Sequence, residues 1–149
     1  MIHKELIYIN LQAKKKEDVI EKLADELFSA GKVKETFKEA VLAREKEYPT
    51  GLPLGNYNIA MPHTFAQHVV EPAIAVAKLE TPVIFTEMGT TDTELPVSLI
   101  MMMAVSEPKE QVGLLKKILQ VFSDNEVLQE LMESTTVQDM YETLKYIDE

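Results

Sequence analysis

Apolar and polar residues alternate from Leu6 to Leu11, the period of a half-buried strand. From Lys16 to Ala30 the spacing becomes helical through Val19, Ile20, Leu23, Ala24 and Leu27, and Gly31 supplies a stop. A second helix fits Val33 to Glu47, with Phe37, Ala40, Val41 and Ala43 or Arg44 on successive turns, and ends before the turn signal Pro49-Thr50-Gly51. The two helices are expected to pair as a hairpin. Beyond Pro53 and Gly55, the short apolar runs Asn58 to Met61, Ala73 to Leu79 and Val83 to Thr86 read as strands. Pro96 to Val105 is almost wholly apolar, as a strand covered on both faces should be, and is the predicted central strand. Gln111 to Phe122, Asn125 to Met132 and Val137 to Ile147 return to helical spacing, with caps at Ser123-Asp124-Asn125 and Ser134-Thr135-Thr136. Helices on both sides of a run of strands predict one α/β domain over residues 1–149 with a covered sheet.

The chain has 149 residues, enough to bury a sizeable core without disulfides. Its formal charge of -10 repels phosphodiester backbones, so nucleic acid is an unsuitable partner. Without cysteine there is no thiol nucleophile, disulfide framework or thiolate metal site. Charges within Met1-Ile2-His3-Lys4-Glu5-Leu6 break the apolar run a signal peptide needs, and no stretch approaches a membrane span. A cytoplasmic protein without direct membrane insertion is expected.

The 5 glycines are scattered and build no phosphate-cradling loop, which argues against direct use of a nucleotide or dinucleotide cofactor. Paired carboxylates in so acidic a chain mark solvated helix faces and carry no catalytic weight. What remains is Ile59-Ala60-Met61-Pro62-His63-Thr64, an apolar strand ending in Pro-His. The proline fixes the backbone before His63, so its imidazole is set at a strand-to-loop corner; the alternative is an ordinary surface histidine. His63, His68 and Glu71 could together hold a metal, but the spacing is not that of a helical zinc pair, and no metal site is assigned. Arg44, following Val41-Leu42-Ala43, offers a planar fork of donors suited to phosphate, against the alternative of a surface salt bridge to Glu45 or Glu47. The methionines at 101–103 read as core filling.

Taken together, Ala43-Arg44-Glu45, Tyr48-Pro49-Thr50-Gly51 and Ile59-Ala60-Met61-Pro62-His63 resemble the IIA components of the sugar phosphotransferase system, fructose/mannitol type. Matches continue through Pro72-Ala73-Ile74-Ala75-Val76, Pro82-Val83-Ile84-Phe85, Val97-Ser98-Leu99-Ile100 and Leu114-Leu115-Lys116-Lys117-Ile118, and so cover nearly the whole chain. The Ala43–Gly51 segment and the second histidine in Pro62-His63-Thr64-Phe65-Ala66-Gln67-His68 look most like the galactitol-type branch. The resemblance implies a mixed sheet of about five strands flanked by helices on both faces.

It also implies a phosphocarrier. His63 would receive a phosphoryl group from the carrier protein HPr and pass it to a cognate IIB component associated with a membrane IIC, with Arg44 balancing charge on the phosphoryl oxygens. Phe65 and Met61 would rim an open site shared by both partners. Mannitol-type members carry a second active-site histidine where this chain has Gln111; Gln111 is then a candidate amide donor and His68 a candidate substitute imidazole or supporting residue. Asn58 stands where the family usually has glycine, and Asn tolerates a left-handed corner. The sugar, held by IIC, is not legible here; galactitol or a related polyol is the nearest indication. Two rival readings are a regulatory protein of the nitrogen-related IIA branch and a non-catalytic metal- or protein-binding module.

Overall fold

A computed structural model describes residues 1–148. Among them, five strands and five α-helices follow in the order β1 (Ile2–Leu11), α1 (Lys16–Ser29), α2 (Phe37–Glu47), β2 (Gly51–Pro53), β3 (Asn58–Ala60), β4 (Ala73–Thr86), β5 (Glu94–Ala104), α3 (Pro108–Phe122), α4 (Asn125–Glu133) and α5 (Val137–Leu144). Short 3₁₀ turns occupy Ala66–His68 and Lys145–Asp148. The strands form one mixed sheet in the order β1-β4-β5-β3-β2, with β1 parallel to β4, β4 antiparallel to β5, β3 parallel to β5 and β2 antiparallel to β3. The mixed five-stranded sheet and the central place of the Met-rich strand agree with the sequence.

Both faces of the sheet are covered. Along β4, Ala73, Ala75 and Ala77 face one way and pair with Ala104, Met102 and Ile100 of β5. These small alanines leave room for Leu23, Leu27, Phe37 and Val41 of α1 and α2, which belong to the same buried cluster. On the other face Ile74 and Val76 pair with Met103 and Met101 and pack with Leu114, Ile118, Leu128, Met140 and Leu144 of α3, α4 and α5. The methionines are core residues on both faces, as their composition implies.

Several boundaries differ from the sequence reading, each for a physical reason. The first strand begins at Ile2, where pairing with Ile74 starts, well before Leu6. Ala73–Leu79 and Val83–Thr86 are one strand and not two: Lys78 pairs Leu99 and Val83 pairs Val97, so residues 79–82 bulge against Ser98 alone. Pro82, which suggested a break, sits in that bulge where no ladder donor is needed. The second helix starts at Phe37 because Val33 is bridged to Val69 and the Lys34 amide donates to the His68 carbonyl, which holds the chain extended there. The third helix starts at Pro108, whose missing N–H suits the first turn, so Gln111 lies inside that turn. Asp124 and Thr136 cap α4 and α5 through their side-chain oxygens, as read.

The turn signal Pro49-Thr50-Gly51 leads directly into β2, an edge strand of three residues that periodicity could not reveal. Gly51 is packed tightly: a Cβ there would lie 2.6 Å from the Thr86 carbonyl oxygen. That contact is backbone and cannot swing aside, so Gly51→Ala is predicted to lower stability by about 1–3 kcal/mol, measured by urea unfolding. A variant as stable as wild type would refute the close approach.

Candidate functional site

β3 ends at Ala60, and the next residues are pinned one by one. The Met61 amide donates to Thr50 Oγ1 at 3.2 Å, and the Pro62 carbonyl accepts from the Met103 amide at 3.1 Å. Two residues further on, the Thr64 carbonyl accepts from Gln111 Nε2 at 2.7 Å, which ties this corner to the first turn of α3. The Met61 carbonyl is left to a side chain: His63 turns back so that Nδ1 lies 2.8 Å from it. A carbonyl oxygen only accepts, so Nδ1 carries the proton and Nε2 keeps its lone pair.

Half-buried His63 has its pKa lowered, first by burial and further by the positive charge of Arg44, while the Met61 bond pulls the other way. The neutral ring is therefore favoured. Arg44, in the last turn of α2, lies between two rings, with its guanidinium carbon 4.9 Å from the Tyr48 centroid and 4.8 Å from the Phe65 centroid. The surface salt bridge considered for it is absent among the described residues. Tyr48 and Phe65 are both more than half exposed.

Glu45 explains why that salt bridge does not form. One position along the helix from Arg44, it turns inward and is only 2% exposed. Its two oxygens accept from the Thr50 amide at 2.7 Å and the Thr50 hydroxyl at 2.6 Å. A continuous chain of bonds thus runs from the end of α2 through Thr50 to Met61 and on to His63. Burial raises the Glu45 pKa to about 7; the two Thr50 bonds and the charge of Lys16 only partly oppose it. Neither Glu45 nor Thr50 was singled out by sequence reasoning, which took Glu45 for a surface partner. The signal available was a carboxylate five positions before a threonine at a strand start.

The other candidates fall as follows. His68 faces the start of α2: its Nδ1 lies 2.8 Å from Thr36 Oγ1 and its Nε2 lies 3.4 Å from the Gln67 amide nitrogen. Thr36 and Arg44 are about 12 Å apart along the helix axis, so α2 gives His68 and His63 opposite ends. Phe65 is an exposed rim residue, whereas Met61 is fully buried and contributes its backbone, not its side chain. Asn58 has no left-handed backbone and instead donates from Nδ2 to the Pro96 carbonyl at 2.9 Å. Glu71 is paired with Lys32 at 2.7 Å, and no group of three or more metal-ligating side chains is gathered among the described residues.

Comparison with known proteins follows from this geometry in two steps. The fold is that of solved IIA structures: mannitol IIA from Escherichia coli superimposes with a TM-score of 0.79 at 24% identity, over 97% of this chain and 99% of that one. The nitrogen regulatory protein IIA-Ntr from Neisseria meningitidis gives 0.74 at 23%, over 96% and 95%. Residues 1–147 match the family described as phosphoenolpyruvate-dependent sugar phosphotransferase system, EIIA 2, and the chain belongs to that family. Its members are phosphotransferases. A galactitol-specific EIIA component from Escherichia coli strain K12 is 30% identical over 115 residues, which are 77% of this chain and 76% of the relative. No helix among the described residues is long and apolar enough to cross a membrane.

The buried carboxyl yields a prediction about stability. The folded chain holds the Glu45 proton more tightly than the unfolded chain, so its contribution is fully present below pH 4.5 and is lost as pH rises to about 7. At roughly 1.4 kcal/mol per unit, that loss is on the order of 3 kcal/mol. Glu45→Gln does not titrate, so urea unfolding from pH 4 to 8 should show wild type losing stability relative to the variant. Parallel stability curves would refute the shift.

Proposed function

We propose that the protein is a cytoplasmic phosphocarrier in which His63 takes a phosphoryl group from phosphorylated HPr and gives it to a cognate IIB component. The single observation that carries this reading is the Nδ1 contact of His63 with the Met61 carbonyl, which places the ring hydrogen on Nδ1 and leaves the lone pair on Nε2. In the transfer a bond forms between Nε2 and phosphorus while the donor's phosphorus–nitrogen bond breaks, its electron pair leaving with the donor imidazole. No proton need leave His63, because the hydrogen stays on Nδ1, which donates it to the Met61 carbonyl throughout. In donation to IIB a nucleophile of IIB forms the new bond to phosphorus while the Nε2–phosphorus bond breaks, its electron pair leaving with the His63 imidazole.

Arg44 is the residue proposed to balance charge on the phosphoryl oxygens, where transfer depends mainly on positioning and electrostatics. Gln111 is proposed to act on the loop, fixing the Thr64 carbonyl beside the nucleophile. His68, bonded to Thr36, is given a supporting role and no share in the transfer. The setting of His63 suits a macromolecular donor. A groove of about 1000 Å³ lies elsewhere, among Gln120, Asp124, Glu130, Glu133 and Tyr146. Exposed Tyr48 and Phe65 instead flank the site with apolar area for docking.

The family membership supports the reading, as does the fold shared with a complex of mannitol IIA and phosphorylated mannitol IIB from Escherichia coli, a likeness with a TM-score of 0.79 at 24% identity. For the sugar, the galactitol-specific relative favours galactitol or a related polyol. Transfer from the phosphorylated protein to purified galactitol-type and mannitol-type IIB tests this, with faster transfer expected to the galactitol type.

His63→Ala is predicted to take no label from phosphorylated HPr while keeping its fold; undiminished label would sink the proposal. Arg44→Ala should slow single-turnover transfer about 100-fold or more, the effect of removing one oriented transition-state donor, and Arg44→Lys should slow it less. The pH profile has a definite sign. With the His63 pKa lowered, the wild-type rate holds through pH 7 and falls only below the ordinary histidine range. Arg44→Ala removes a charge that opposes protonation, so its acid limb should move to higher pH. An acid limb unmoved by that substitution would separate Arg44 from His63 electrostatically.

A further inference from the structure

We infer that Glu45 and Thr50 are positioning residues for the transfer, setting the tautomer and direction of the His63 ring through the Met61 backbone; the inference rests on the phosphocarrier reading. Neither side chain touches His63. Glu45 is 2% and Thr50 4% exposed, so both act from beneath the surface.

The Thr50 hydroxyl has one hydrogen, which goes to Glu45 Oε1, so toward the Met61 amide it presents only lone pairs, one of which accepts. Glu45 thus decides which way the hydroxyl points: with its carboxylate accepting, the hydroxyl must offer an acceptor face to Met61. The Met61 amide is held on one side and the Pro62 carbonyl is held by Met103 on the other. Between these two anchors the Met61 carbonyl has no freedom to rotate, and His63 Nδ1 is drawn to it. Pro62 contributes by having no N–H that could compete in the turn. The same carboxylate fixes the end of α2, so Arg44 and the His63 ring whose charge it opposes are located by one anchor.

Such an arrangement does more than stabilise. Free histidine in water favours the tautomer with hydrogen on Nε2, which has no lone pair there to attack phosphorus. Holding the other tautomer removes a proton shift from the path to transfer. A loosened Met61 carbonyl would lower the rate even in a well-folded protein.

The test uses the full chain at pH 8, where Glu45 is ionised. Nitrogen-15 NMR of the His63 ring reads the tautomer, and single-turnover transfer from phosphorylated HPr reads the rate. Thr50→Val, equal in shape but without the hydroxyl, should lower the rate at least tenfold and move the ring toward the Nε2–H tautomer. Thr50→Ser, which restores the hydroxyl, should return both readings to within about threefold of wild type. Leu27→Ala, a core truncation on α1, should destabilise the protein and leave both readings unchanged. Glu45→Gln, whose amide places a donor where an acceptor is needed, provides the same readings should Thr50→Val fail to fold. A folded Thr50→Val or Glu45→Gln with the wild-type tautomer overturns the inference, as does an unrescued Thr50→Ser. The tautomer needs no phosphoryl donor, so it decides the inference even if wild type takes no label, an outcome that would overturn the phosphocarrier reading instead.

Discussion

The arrangement of this site depends on one buried carboxylate. Glu45 leaves water to accept two hydrogen bonds from a single residue, Thr50, and that residue is where α2 passes into the sheet. An isolated ionised carboxylate in a protein interior is costly, and two donors offset only part of the cost, hence the upward shift of its pKa to about 7. The return is geometric. A helix end, an edge strand and the end of β3 are joined at one point, and the corner carrying His63 hangs from it. Hydrophobic packing could press these elements together, but it has no direction, and the corner needs a carbonyl aimed at a ring nitrogen.

Neighbouring residues on α2 perform opposite tasks because successive helical positions differ by about 100° around the axis. Glu45 points to the interior and Arg44 to the rim. Were both exposed they would compete for each other or for Glu47, and the arginine would reach an incoming anion already neutralised. Burying the carboxylate removes that competitor. Tyr48 and Phe65 then hold the guanidinium by cation–π contact, which uses none of its N–H donors on a carboxylate.

Much of the fold was legible because its signals are periodic. The helical spacing of α1 and of the last three helices, and the apolar run of β5, follow from one or two covered faces. What escaped was either too short or cancelled by a local exception. β2 has three residues and no period; Pro82 mimicked a strand end because the bulge that tolerates it depends on tertiary pairing. At the site, the Pro62-His63 corner was visible from the proline's effect on the backbone. The burial of Glu45 was not, since glutamate in an acidic, charge-rich helix reads as solvated and only the fold brings Thr50 under it. Met61 was misplaced for a related reason: its side chain belongs to the core while its carbonyl belongs to the site.

On the proposed phosphocarrier reading, the exposure of Tyr48 and Phe65 follows from what is exchanged. A phosphoryl group moving between two histidines on different proteins requires both imidazoles to approach the same phosphorus in line, so neither can lie at the bottom of a pocket. Preorganisation must then come from behind the nucleophile and not from walls around it. Here it comes from Thr50, Met103 and Gln111, which hold three successive stretches of backbone at 61, 62 and 64 from within the protein and from α3. The ring of His63 rests on that fixed backbone through Nδ1, with the lone pair on Nε2. On the proposed reading this divides the labour: the interior sets the direction of attack, and exposed Tyr48 and Phe65 with half-buried Arg44 are left to meet one partner and then another.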